Sequence, residues 1–364
     1  MTFRTQLAAA VESRGYLLDV SQQQAADRLQ QLDNDWVEYK AQRSNALKKL
    51  IAHPPAPRGV YLWGGVGRGK SFLMDAFFAA VPVVRKNRVH FHEFMRSVHR
   101  ELDDLKGTEN PLDEVAERIA ARHRLVCFDE FQISDIADAM ILHRLLAKLF
   151  ELNCGFVMTS NSPPDGLYAD GLHRDRMLPA IELLKERLDV LRVEGGIDYR
   201  KRAMQTIDAY VVPWGPAADA VLQTAFERIA EAGDDNCLLN IEARQIRARR
   251  RAGGVVWFDF AVLCSGPRSQ NDYLEIAAQF HTVLLSSIPR MGAGRAAEAR
   301  RFTWLVDVLY DRGVKLIASA EAPPDQLYVA GVLKSEFARA VSRLHEMQSR
   351  EYLEAPRRDA ISGV

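Results

Sequence analysis

The sequence predicts an α/β fold: a parallel sheet flanked by helices, then a smaller β-containing subdomain and a C-terminal α/β part. Three observations predict it. Short apolar runs alternate with helical patterns between residues 59 and 159. A glycine loop, GGVGRGKS at 64–71, stands between one such run and one such helix. A second run, LVCF at 125–128, ends in the carboxylates Asp129 and Glu130. In doubly wound sheets, ligands bind at the carboxyl ends of the strands.

Residues 1–52 read as a polar helical segment, with Ser21 as the expected N-cap of a helix running to Leu50. HPPAPRG at 53–59 stops that helix and leads into the strand VYLW. The apolar helix SFLMDAFFAAV follows the glycine loop. Next come a strand around Val89–Phe91, a helix through MRSVHRELDDL and another ending near Arg122. LVCF, a helix over Asp135–Leu152 and the strand GFVMT complete a core at 53–199. The pattern then changes. A helix around Ala217–Glu231 precedes a strand, a basic turn and a second strand, which predict a β-containing insertion or subdomain at 200–256. Helix and strand signals resume over 257–354, and 355–364 read as a frayed tail. PPDGLYADG at 163–171 is echoed by PPDQLYVAG at 323–331, and FDE at 128–130 faintly by FDF at 258–260. A degenerate half-copy and recurring turn chemistry explain that echo equally well. The second half has no glycine phosphate loop.

The chain has 364 residues, long enough for two or three domains. Its 48 basic and 48 acidic residues cancel, which weakens any claim of whole-surface attraction to nucleic acid or acidic membranes. Only eleven of the basic residues are lysines. No apolar run approaches the ~18 residues of a membrane helix, and no signal peptide is evident, so the expected location is cytoplasmic. Cys127, Cys154, Cys237 and Cys264 lie far apart without metal-ligand spacing and read as reduced, buried thiols.

The glycine loop fits G-x-x-x-x-G-K-[ST], the phosphate loop of P-loop NTPases. Gly64, Gly65, Val66, Gly67, Arg68, Gly69, Lys70, Ser71 and Phe72 form the expected nucleotide cradle, with backbone N–H groups converging on phosphate at a helix N-terminus. Lys70 is expected to bridge the β- and γ-phosphates, and Ser71 to give Mg²⁺ a hydroxyl. Asp129 is placed to hold the metal through water. Glu130 is placed to deprotonate the attacking water, which suits hydrolysis. Two acids at a strand end also make a helix cap. Asn161, at the tip of GFVMTSN, suits contact with both water and γ-phosphate; opening the turn before Pro163-Pro164 is its plainer role. Arg174 and Arg176 stand where oligomeric ATPases present an arginine finger. Arg339 and Arg343, four apart on one face of a helix, are a second pair that could act on nucleotide; each of the four is more often a solvated or salt-bridged surface arginine. Arg244, Arg247, Arg249, Arg250 and Arg251 read as a solvated hairpin tip, or as contacts for nucleic acid or an acidic tail. They lack the interleaved aromatics of a base-stacking surface.

These residues carry a resemblance. GVYLWGGVGRGKS, VHFHEFMRSVH, FDEFQISDIADAMIL, TSNSPPDGLY and GLHRDRMLPAIELL resemble the ZapE cell-division ATPases, the bacterial branch of the AFG-one-like ATPase family. GIDYR, FAVLC, NDYLEIAAQFHTVLL, IPRM, RRFTWLVDVLYDRGVKLIASA and SRLHEMQSREYL extend it to about residue 354. One departure is Ala243 before Arg244, where a Gly-Arg pair is expected. The resemblance implies an AAA-type (ASCE) fold and Mg²⁺-dependent ATP hydrolysis, with Lys70, Ser71, Asp129, Glu130 and Asn161 on the family's motif positions. It also implies nucleotide-dependent remodelling of the tubulin-like division protein FtsZ and peripheral inner-membrane association; a nucleotide-dependent oligomer is compatible with the sequence, which leaves the oligomeric state open. Mitochondrial relatives imply an alternative role in inner-membrane protein quality control. From the residues alone, a nucleic-acid factor such as a helicase loader and a small-molecule kinase are the other classes; Glu130 argues against the kinase.

Overall fold

The computed structural model describes residues 2–14, 17–43, 54–65, 67–133, 135–169, 171, 173–194, 207–230, 236–242, 244–331, 333–355 and 357–358. Val66, Ala243, the GIDYR string and the last residues of the tail lie outside them. Met1–Ile197 and Asp198–Val364 form two compact units.

In the first unit, α1 (Phe3–Arg14) and α2 (Val20–Gln42) precede β1 (Gly59–Trp63). The cap of α2 is Asp19, not Ser21: the Asp19 side chain accepts from the Gln22 N–H while the Gln22 side chain accepts from the Asp19 N–H. A carboxylate with a glutamine three residues on satisfies two orphan N–H groups, more than a serine two positions later achieves. Then come α3 (Lys70–Ala80), β2 (Lys86–His90), α4 (Phe91–Asp104), α5 (Pro111–Arg122), β3 (Leu125–Asp129), α6 (Ile136–Glu151), β4 (Gly155–Ser160), α7 (Leu178–Arg187) and β5 (Leu188–Arg192). Phe91, expected in a strand, opens α4 instead.

The five strands pair in the order β2-β3-β4-β1-β5, all parallel. Alternate residues face opposite sides, as the pleat requires. Val60, Leu62, Cys127 and Val157 pack with apolar residues of α1, α2 and α3. Tyr61, Val126, Phe128, Phe156 and Met158 pack with those of α4 to α7. Burial on both faces is why β1, β3 and β4 read as continuous apolar runs.

The second unit holds β6 (Tyr210–Val211), α8 (Pro216–Ile229), β7 (Leu238–Ile241), β8 (Arg244–Arg247), β9 (Arg250–Ala252), β10 (Val255–Asp259), α9 (Gln270–Gln279), β11 (Thr282–Ile288), α10 (Ala296–Asp311), β12 (Lys315–Ala320), α11 (Lys334–Met347) and α12 (Arg350–Glu354). Its main sheet runs β6-β12-β11-β10-β9, so strands from both sides of residue 256 share one sheet. β7 and β8 form a separate antiparallel pair.

This unit repeats the first. Setting β6, α8, β10, β11, α10 and β12 against β1, α3, β2, β3, α6 and β4 gives the same strand neighbours in the same order. The register fixes the match residue by residue: His90 pairs with Asp129 and Phe128 with Met158, as Asp259 pairs with Ser286 and Leu285 with Ala318. Met158 pairs with Tyr61, as Ala318 pairs with Tyr210. Local bonds repeat too. The Glu130 N–H donates to Thr159 Oγ1 at 3.2 Å and the Ser287 N–H to Ser319 Oγ at 3.1 Å. The Tyr61 hydroxyl donates to the Ser162 carbonyl at 2.9 Å and the Tyr210 hydroxyl to that of Ala322 at 3.0 Å. Glu130 and Ser287 both take left-handed backbone, φ 51° and 64°. The PPDGLY and PPDQLY segments therefore hold equivalent places after β4 and β12. FDF lies on β10, the counterpart of β2, so its likeness to FDE is accidental.

Among the described residues no helix is long and apolar enough to cross a membrane. Cys127, Cys154 and Cys264 are buried thiols, whereas Cys237, just before β7, is only half-buried.

Candidate active site

The loop at the end of β1 turns sharply because nothing larger than hydrogen fits there. A Cβ on Gly64 would lie 2.1 Å from the Val193 carbonyl oxygen, and Gly69 caps α3 in left-handed backbone. α2 braces the loop from behind: Gln22 is buried at 3% exposure and its amide donates to the Arg68 carbonyl at 3.0 Å. The Phe72 ring belongs to the apolar core, so this residue brings only backbone to the loop.

Lys70 opens α3 and is buried; its ammonium donates to the Gly64 and Gly65 carbonyls at 2.8 and 2.7 Å, and to Asn161 Oδ1 at 3.2 Å. The Ser71 hydroxyl donates to Asp129 Oδ1 at 2.8 Å, and Thr159 donates to the same oxygen at 2.6 Å. Arg88 donates from β2 to the other oxygen, Oδ2, at 2.7 Å. Burial alone would raise the Asp129 carboxyl; Arg88, His90 and the two hydroxyls outweigh it and hold the group below the usual carboxylate range. Glu130 is partly exposed, with Oε2 3.9 Å from His90 Nδ1.

The structure thus brings Gly64, Gly65, Gly67, Arg68, Gly69, Lys70, Ser71, Asp129, Glu130 and Asn161 together at the carboxyl end of one sheet. A hydroxyl and a carboxylate in contact, both hard oxygen donors, fit Mg²⁺. Arg174 and Arg176 form a short 3₁₀ turn; Arg174 donates to the Asp165 carbonyl at 2.6 Å, and Arg176 is exposed. Arg339 and Arg343 both bond Asp307, at 2.6 and 2.7 Å, within the second unit.

The basic stretch is not a solvated hairpin tip. Arg244 grips the buried Asp272 through both carboxylate oxygens at 2.6 and 2.7 Å. Arg249 pairs with Asp219 and Asp259 and lies over Trp257, and Arg250 pairs with Glu227 over Phe226. Arg251 is buried against Phe280. These contacts commit four of the five guanidinium groups to the fold. Arg247 is exposed.

Gln22, Arg88, His90 and Thr159 were not singled out from sequence. A charged residue two places before a histidine in NRVHFH, in a short strand, was the available signal for two of them.

A family model described as "AFG1-like ATPase" matches residues 1–356. The cell division protein ZapE of Escherichia coli K12 is 43% identical over 312 residues, covering 85% of this chain and 82% of that protein. Lactation elevated protein 1 homolog B of Danio rerio is 39% identical, covering 81% of this chain and 61% of its own. Among solved structures, domain III of the Thermotoga maritima replication initiation protein DnaA matches 56% of this chain and 71% of its own, with 16% identity and a TM-score of 0.38.

Proposed function

The chain belongs to the AFG1-like ATPase family, and we propose that it hydrolyses ATP at the Lys70–Asp129 site and uses the cycle to remodel a protein partner at the division site. That it is an ATPase follows from the family. One observation carries the proposal: the Ser71 hydroxyl meets the Asp129 carboxylate at 2.8 Å, beside a lysine whose ammonium reaches both the loop carbonyls and Asn161.

On this reading the loop N–H groups and Lys70 hold the phosphates, with Arg68 and Phe72 contributing backbone. Ser71 and Asp129 hold Mg²⁺, which when bound supplies positive charge to the phosphate oxygens. Glu130, partly exposed and beside the metal carboxylate, takes the proton of the attacking water; Asn161 orients that water. Arg174 and Arg176 are the candidates for contact with nucleotide across a subunit boundary. Lys70→Ala should abolish nucleotide binding, whereas Glu130→Gln should bind ATP and fail to cleave it. Phosphate release by Glu130→Gln at the wild-type rate would remove Glu130 as the base.

The partner is FtsZ, a reading supported by the 43% identity to a cell division protein. Co-sedimentation with FtsZ filaments in ATP, ADP and no nucleotide tests it. Pelleting that differs between the states supports remodelling; equal pelleting in all three sinks the partner and leaves the ATPase untouched. A nucleic-acid role loses its main support, because Arg244, Arg249, Arg250 and Arg251 are held by the fold.

A further inference from the structure

β2 carries an arginine whose side chain is largely buried and has no part in the chemistry above. The Arg88 side chain is 9% exposed; Nη2 donates to Asp129 Oδ2 at 2.7 Å, while Nε lies 2.5 Å from Asp75 Oδ1. Asp75 stands one turn beyond Ser71 on α3. A single guanidinium therefore ties the helix that bears Ser71 to the strand that ends in Asp129. The remaining oxygen, Asp129 Oδ1, accepts from Ser71, Thr159 and the Glu130 N–H. We propose that Arg88 is a positioning residue for the metal site: by holding Asp129 Oδ2 and Asp75 together, it keeps the Ser71–Asp129 oxygen pair aimed for Mg²⁺ before metal and nucleotide arrive. This rests on the reading of Ser71 and Asp129 as the metal's ligands.

Two independent facts support it. First, a planar guanidinium can engage two carboxylates at fixed angles, whereas an ammonium is a point charge that cannot fix their orientation. Partners of metal ligands commonly act in this way. Second, the repeat supplies an internal comparison. The register places Trp257 where the first unit has Arg88 and Ser286 where it has Asp129. The Trp257 Nε1–H donates to Ser286 Oγ at 2.5 Å. The cross-strand bond survives in the second unit, yet both charges have gone together, and with them the phosphate loop. If Arg88 served only to pair β2 with β3, a neutral pair would serve equally well there.

The test measures binding of a fluorescent ATP analogue to the full chain, in EDTA and across a Mg²⁺ titration. Arg88→Met should need about 10–100-fold more Mg²⁺ for half-maximal enhancement of binding, the usual cost of losing a ligand's partner. Its affinity in EDTA should stay near wild type. Arg88→Lys, which keeps the charge but not the fork, should shift the requirement in the same direction by less, and it serves if Arg88→Met does not fold. An unchanged Mg²⁺ requirement, a lowered one, or an equal loss with and without metal would each overturn the proposal. Equal loss is the mark of a merely structural residue. Wild-type protein that binds the analogue in neither condition would instead refute the nucleotide site itself.

Discussion

Lys70 sits among the groups that a bound phosphate would meet. Its ammonium is already surrounded by two loop carbonyls and Asn161 Oδ1, so a phosphate that enters must displace some of these partners. On the proposed reading, Asn161 then turns toward the reacting end of the nucleotide, the role its strand-tip position suggested from sequence. Removing one group that acts on the transition state commonly costs roughly 10²-fold or more in turnover. Asn161→Ala should therefore lower turnover on that order while nucleotide affinity stays near wild type, as steady-state phosphate release and equilibrium binding will show. Weakened affinity with unchanged turnover would return Asn161 to the plain turn-opening role. At this scale the motif residues were legible because the chemistry fixes their spacing along the chain. Arg88, Gln22 and Thr159 were not, because each acts through a neighbour that is remote in sequence: Asp129 lies 41 residues from Arg88, and Arg68 lies 46 from Gln22.

Elements of the first unit were legible wherever apolar runs were long and bounded, as in β1, β3 and β4. Misreadings arose where polar residues are absorbed by tertiary contacts. The arginines of β8 and β9 looked like a turn because nothing in the sequence reveals that Asp272, Asp219 and Glu227 would come to meet them. Lys315, at the start of β12, is likewise absorbed by such contacts, though its strand was read correctly. It is buried, its ammonium donates to the Tyr352 carbonyl and lies 4.5 Å from that ring's centre, and burial lowers its pKa to about 8. Between pH ~8 and ~10.4 the unfolded chain carries a proton at this lysine that the folded chain has lost, so stability rises with pH in that window. Lys315→Met lacks this contribution. Chemical denaturation at pH 7 and pH 10 should show wild type gaining on Lys315→Met at the higher pH; a constant difference would mean the ammonium titrates as if exposed.

For the whole molecule, the decisive feature is a fold used twice and armed once. The sequence hinted at this through two PPD turns but could not choose between a copy and coincidence, since side chains at equivalent positions have diverged while strand register has not. Where the first unit has Asp129, Glu130 and Asn161, the second has Ser286, Ser287 and Glu321, by the pairing of β11 with β12. The link from strand to helix has also changed character. Gly64–Gly69 is replaced by Pro213, Trp214 and Gly215 before α8 begins at Pro216. Both prolines lack an N–H, and the Trp214 N–H is spent on the Ala320 carbonyl at 2.8 Å. A phosphate there would find few of the converging N–H donors that make a phosphate loop, and a carboxylate, Glu321, in place of an amide. Ser286 Oγ already accepts from both Trp257 and Arg249, so it is not a poised metal hydroxyl. Binding of a non-hydrolysable ATP analogue with Mg²⁺ should therefore saturate at one molecule per chain, and Lys70→Ala should reduce that to none. A Lys70→Ala protein that still takes up one equivalent, with its binding dependent on Mg²⁺, would show that the second copy kept a working site despite these losses.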